Sequence, residues 1–123
     1  MDSRPGQIVW TDLTVPDAEG LRDFYAEVVG WTPADVPMGE YADFNMTDAE
    51  GTPVAGICHA RGPNADQPPV WMIYVTVEDL DASLEAVAAK GGEVVRGPME
   101  MGEWRMAVIR DPAGAMMTLG RKE

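Results

Sequence analysis

The sequence predicts an α+β fold built from two tandem β-α-β-β-β units that curl into an open half-barrel crevice. Three observations carry this expectation. Residues 9–30 (VWTDLTVPDAEGLRDFYAEVVG) and 70–92 (VWMIYVTVEDLDASLEAVAAKGG) contain the same order of parts: an apolar strand, an acidic helix start, an amphipathic or alanine-rich helix, and a glycine stop. Val15 and Val77, Asp17 and Asp79, and Gly30 and Gly92 are each 62 positions apart. After each helix come three short strand candidates, and the turn Asp48-Ala49-Glu50-Gly51 is matched by Asp111-Pro112-Ala113-Gly114.

Residues 1–6 form a polar lead-in. From Gln7 the pattern alternates, with Val9, Thr11, Leu13 and Val15 on one side and Ile8, Trp10, Asp12 and Thr14 on the other, until Pro16 ends the ladder. Asp17 stands at an N-cap position, and Leu21, Phe24, Tyr25 and Val28 recur at helical spacing up to Gly30. Strands are expected at about 31–36, 41–46 and 52–60, which closes a first unit of about 7–60. Residues 61–69 are polar and proline-bearing, as a linker would be. The second unit, about 70–120, repeats the series: a strand over 70–77, a helix over 80–90 capped by Asp79, and strands near 93–96, 103–110 and 115–120. Glu78, Asp79, Asp81 and Glu85 gather at the second helix start, where exposed N–H groups favour negative charge.

A chain of 123 residues suits one domain, here 1–123, able to bury a core without disulfides or a structural metal. The formal charge of −12, with only nine Lys and Arg scattered singly, argues against a nucleic-acid partner. One cysteine excludes an internal disulfide and suits a reducing cytoplasm, and no membrane-spanning run is visible. A four-stranded sheet with a helix on one face leaves its other face to be covered by the second unit, a ligand or another chain.

The paired units, the phrase Asp17…Phe24-Tyr25…Gly30-Trp31, the phrase Val77-Glu78-Asp79…Gly91-Gly92, and the ending Asp111-Pro112-Ala113-Gly114 before a strand together resemble the vicinal oxygen chelate superfamily. That group includes glyoxalase I, extradiol dioxygenases, fosfomycin-resistance enzymes and bleomycin-resistance proteins. The resemblance implies a divalent metal held by His or Glu from the first and last strands of each unit. It also implies a homodimer. Carried onto this sequence, the ligand positions fall on Trp10, Ala55 or Gly56, Met72 and Thr118, none of which is a usual ligand. Shifting the register by one does not help: it gives Val9 or Thr11, Trp71 or Ile73, and Met117 or Leu119. The expectation is therefore a protein with no metal and no cofactor, which binds and sequesters a hydrophobic or aromatic small molecule such as a natural-product antibiotic.

Strand alternation places Trp71, Ile73, Val75 and Val77 beneath the second helix and turns Met72, Tyr74 and Thr76 to the crevice. Trp10, Asp12 and Thr14 are the corresponding set in the first unit. The expected ligand contacts are Trp10, Asp12, Ala55, Ile57, His59, Met72, Tyr74, Trp104, Met106, Met116 and Thr118, an aromatic and methionine-rich lining with a few polar handles. Trp10 and Met72 have a second reading, as plugs filling the space that metal and substrate occupy in relatives. Asp12 and His59 are the only candidate acid-base groups, so a cofactor-free isomerase, lyase or cyclase is the alternative function, and a metalloenzyme with unusual ligands is the next. Cys58 alternates away from His59, which argues against a Cys-His nucleophile pair.

Overall fold

In the computed structural model, which describes residues 4–123, eight strands and two helices follow the expected order. They are β1 (Ile8–Val15), α1 (Ala18–Val29), β2 (Thr32–Pro37), β3 (Ala42–Thr47), β4 (Pro53–His59), β5 (Met72–Thr76), α2 (Leu80–Ala89), β6 (Glu93–Met101), β7 (Trp104–Arg110) and β8 (Met116–Lys122). A 3₁₀ turn, Gly62–Asn64, lies in the linker. The first three residues of the polar lead-in fall outside the described residues. The architecture is α+β, and among the described residues no helix is long and apolar enough to cross a membrane.

The chain divides into two compact units, one of Thr11–Trp71 and one joining the residues up to Trp10 to Met72–Glu123. In the Thr11–Trp71 unit the strands run in the order β2-β3-β4-β1, with β1 and β4 parallel and the other pairs antiparallel. Leu13, Val15, Phe44, Met46, Ala55 and Ile57 project from one face of this sheet and form a core with Ala18 of α1. In the second compact unit the order is β5-β8-β7-β6, with β5 and β8 parallel. Ala107, Ile109 and Leu119 pack there against Leu80 of α2, with Val75, Val77, Leu84, Val87, Val94 and Met117 around them. The N-terminal segment joins this unit because Gly6 N–H donates to Thr76 O at 2.7 Å and Thr76 N–H donates to Gln7 O at 3.0 Å.

The sequence repeat is also a repeat of local chemistry. Asp17 and Asp79 both cap their helices, accepting from Gly20 N–H at 3.0 Å and Ala82 N–H at 3.1 Å. Asp48 accepts from the N–H groups of Glu50 and Thr52, and Asp111 likewise from Ala113 and Ala115, so both final hairpins turn on the same side-chain-to-backbone device. The helix stops differ. Gly30 ends α1 in the left-handed region at φ 86°, whereas after α2 the left-handed residue is Gly91, at φ 89°. Gly92 is needed for another reason: a Cβ there would lie 2.8 Å from Arg110 O.

Two elements depart from expectation. Strand β6 continues to Met101 instead of ending near Arg96, passing Gly97-Pro98 through register shifts between Val94 and Arg96 and between Arg96 and Met99. It is an edge strand, so a proline without an N–H leaves no ladder bond unmade, and β2, at the edge of the Thr11–Trp71 unit, carries Pro33 and Pro37 on the same terms. Strand β5 starts at Met72, and Trp71 does not pack beneath α2. Its indole N–H instead reaches Tyr25 Oη at 3.3 Å and its ring meets Tyr25 and Trp31 edge-on, at 5.2 and 5.9 Å between centroids, beside the α1 core.

Candidate functional site

Six of the expected contacts share one sheet face. Ala107, Ile109 and Leu119 face α2, so the alternate residues of β7 and β8 face away from it. Cross-strand register then aligns Tyr74, Thr118 and Val108 in one row, Thr76, Gly120 and Met106 in the next, and Arg110 beside Met116. Trp104 shares the alternation of Met106, and Met72 that of Tyr74. A Cβ on Gly120 would stand 3.3 Å from Met106 Cγ and 3.4 Å from Trp104 Cε3, so the missing side chain is what lets these two large groups close over the strand.

Exposure divides this face. Met72, Thr76 and Thr118 are buried, at 0%, 1% and 2% exposed, and are no contact surface as the chain stands, which corrects the expectation for Met72 and Thr118. Tyr74, Trp104, Met106, Met116 and Arg96 are half-buried and form the reachable part. A shallow cleft of about 190 Å³ on the same unit is bounded by Pro5, Val77, Glu78, Arg121 and Lys122, and none of the expected contacts lines it.

In the Thr11–Trp71 unit, Ala55, Ile57 and His59 were expected opposite the helix and lie on its side instead. Leu13 pairs with Ile57 and Val15 with His59, and Leu13 and Val15 belong to the core beneath α1. The strand PVAGICH is apolar at odd and even positions alike, so alternation along it cannot assign faces. The face away from α1 instead holds Asp12, which pairs with Gly56, and Thr14, which pairs with Cys58. Asp12 is half-buried and engaged within the chain. Trp10, also half-buried, lies in the segment that joins the other compact unit.

His59 sits in a built polar setting that the sequence did not reveal. Asp43 Oδ1 accepts from His59 N–H at 2.9 Å and lies 3.1 Å from Nδ1, while Glu19 Oε1 is 3.8 Å from Nε2. The rings of Tyr41 and Phe44 flank the imidazole at 5.1 and 6.1 Å. With Nδ1–H donating to Asp43, Nε2 becomes the accepting nitrogen, the arrangement that orients a histidine for proton transfer. Asp43 stands 16 residues away on a neighbouring strand, and only the strand register could have paired the two. Cys58 is the opposite case. Burial first, then the charges of Asp12 and Asp43 and a hydrogen bond to Asp43, push its thiol up to about 12, which makes it a poor nucleophile.

The chain's residues do not fit the family's divalent metal. Its ligand positions carry Trp10, Ala55 or Gly56, Met72 and Thr118, and three of these, Ala55, Met72 and Thr118, are buried side chains without imidazole or carboxylate. Among the described residues no group of three or more His, Cys, Asp or Glu is gathered that could hold a metal ion.

Residues 7–119 match the model of the Glyoxalase/Bleomycin resistance protein/Dioxygenase superfamily, and the chain belongs to that family. Among curated proteins it is 37% identical, over 96% of its length, to the anthracycline biosynthesis protein DnrV of Streptomyces peucetius, and 35% identical over the same share to the anthracycline biosynthesis protein DauV of Streptomyces sp. strain C5. It spans about half the length of these relatives, 48% of each. The methylmalonyl-CoA epimerase of Mycobacterium tuberculosis shares the fold, with a TM-score of 0.58 at 16% identity over 100% of this chain and 93% of that one.

Proposed function

We propose that this protein binds a planar aromatic small molecule of the polyketide type, without a metal, on the face of the β5-β8-β7-β6 sheet that points away from α2. The observation that carries the reading is the gathering of Tyr74, Trp104, Met106 and Met116, all half-buried, on that one face. Flat rings and deformable thioethers suit a fused ring system, and a ligand covering them gains apolar burial at roughly 25 cal/mol per Å² before the costs of association. The names of DnrV and DauV supply the ligand class. A homodimer goes with this reading.

The test is quenching of tryptophan fluorescence by an anthracycline and by simple anthraquinones, read beside native mass spectrometry of the same sample. Saturable quenching, one unchanged ligand mass per site and no metal mass is the expected result. An absence of saturable quenching up to millimolar ligand overturns it.

A second reading is favoured by the Asp43–His59 pair: a cofactor-free enzyme in which His59 Nε2 moves a proton, with Asp43 holding the ring. It requires a ligand whose mass or isomeric form changes on incubation, and loss of that change in His59→Gln while binding persists.

A further inference from the structure

The row that aligns Tyr74, Thr118 and Val108 extends one strand further, to Arg96 on β6. Strand alternation alone would put Arg96 on the side of Val94, which packs toward α2. The bulge reverses it: Val94 pairs with Ile109, but Arg96 pairs with Val108, whose neighbours Ala107 and Ile109 take the α2 side. Met99 then pairs with Met106 on the same face. A half-buried, permanently charged guanidinium is thereby set on the face that carries Tyr74, Trp104, Met106, Met116 and Thr118, in a chain of net charge −12.

The other strand cations at this face, Arg110 and Lys122, have acidic partners: Arg110 Nη1 donates to Glu93 Oε1 at 2.6 Å and its Nη2 lies 3.8 Å from Met116 Sδ, while Lys122 Nζ lies 3.5 Å from Glu103 Oε2. Arg105 is turned to the other side, where it pairs with Asp81 of α2 at 3.0 Å. Arg96 is engaged within the chain as well. A guanidinium carries five N–H donors in a fork whose geometry matches a carboxylate. Three strand spacings, on the order of 14 Å, separate its backbone from that of Tyr74, a span that three or four fused rings bridge once the side chains lean inward.

Resting on the proposed binding of a planar aromatic, we infer that the ligand carries an anionic oxygen, a carboxylate or ionised phenol, and that Arg96 selects it. The rings lie over Met106 and Trp104, the acidic group meets the Arg96 fork, and the Tyr74 hydroxyl contacts the far end. The acidic surface of the protein repels anions at long range, so this selection is local and acts in the bound state.

The test uses a matched pair, anthraquinone-2-carboxylate and its neutral carboxamide, titrated calorimetrically against the full chain. The wild type is expected to bind the carboxylate about tenfold or more tightly than the carboxamide. Arg96→Gln reduces that preference to within twofold, Arg96→Lys keeps part of it, and Arg121→Gln, an equal loss of charge on β8, leaves it standing. Equal binding of both compounds by the wild type overturns the inference while the proposed function stands. So does a preference lost equally in Arg121→Gln, or one that survives in a folded Arg96→Gln. Binding of neither compound removes the inference and the proposed function together.

Discussion

Cys58 allows a sharp test of the Thr11–Trp71 unit, because it is the single cysteine and its protection has named causes. It pairs in register with Thr14 on the face away from α1, where burial, Asp12 and Asp43 together push its thiol up to about 12. An unfolded cysteine ionises near pH 8.5, so at pH 8 roughly a quarter of it is thiolate. With a value of about 12, the folded chain holds on the order of one part in ten thousand as thiolate, and alkylation is slower by roughly a thousandfold. The assay follows iodoacetamide labelling by intact mass, in buffer and in urea. The unfolded rate levels off above about pH 9, while the folded rate continues to rise about tenfold per pH unit. Because the folded value is raised, the stability gained by keeping the thiol neutral is fully present below the unfolded value and is lost as pH climbs toward about 12. Asp12→Asn and Asp43→Asn each speed the folded reaction while leaving most of the protection, since burial is the leading cause. A folded rate within tenfold of the unfolded one at pH 8, or a plateau near pH 9, would refute the described surroundings of Cys58.

Two further perturbations address what holds the elements in place. Asp17→Ala removes the acceptor of the Gly20 N–H and should cost about 1 kcal/mol in urea unfolding, with Asp17→Asn nearer wild type. Gly97→Ala should cost about 2 kcal/mol or more in the same assay, because φ is +90° and the new Cβ would lie 2.9 Å from Met106 O and 3.2 Å from Ala107 Cα, both backbone atoms that cannot step aside. An unchanged midpoint for Gly97→Ala would mean that β6 does not approach the backbone of β7 at Gly97 as described.

Much of the fold was legible because the chain states it twice. Asp17 and Asp79 announce helix starts, and Asp48 and Asp111 announce the final turns, by chemistry that acts within four residues. The alternation of β5, β7 and β8 was equally readable, since only one face of each packs under α2, and it put Tyr74, Met106, Met116 and Thr118 on one side. It gave no measure of depth, so Met72 and Thr118 were expected as contacts when other parts of the chain had already sealed them. In β4 the signal vanished, because residues apolar on both faces carry no parity, and Ala55, Ile57 and His59 were assigned to the wrong side.

What the sequence determined alone was the local grammar: the caps, the turns, the order of strands and helices, and the absence of His or Glu at the family's metal positions. These depend on side chains acting on backbone only a few bonds away. The tertiary structure decided which residues meet across strands, because register is fixed by many weak contacts summed over whole sheets. It brought Asp43 to His59 and sent Trp71 to Tyr25. Through one extra residue in β6 it also turned Arg96 from the α2 side of the sheet to the face that carries Tyr74.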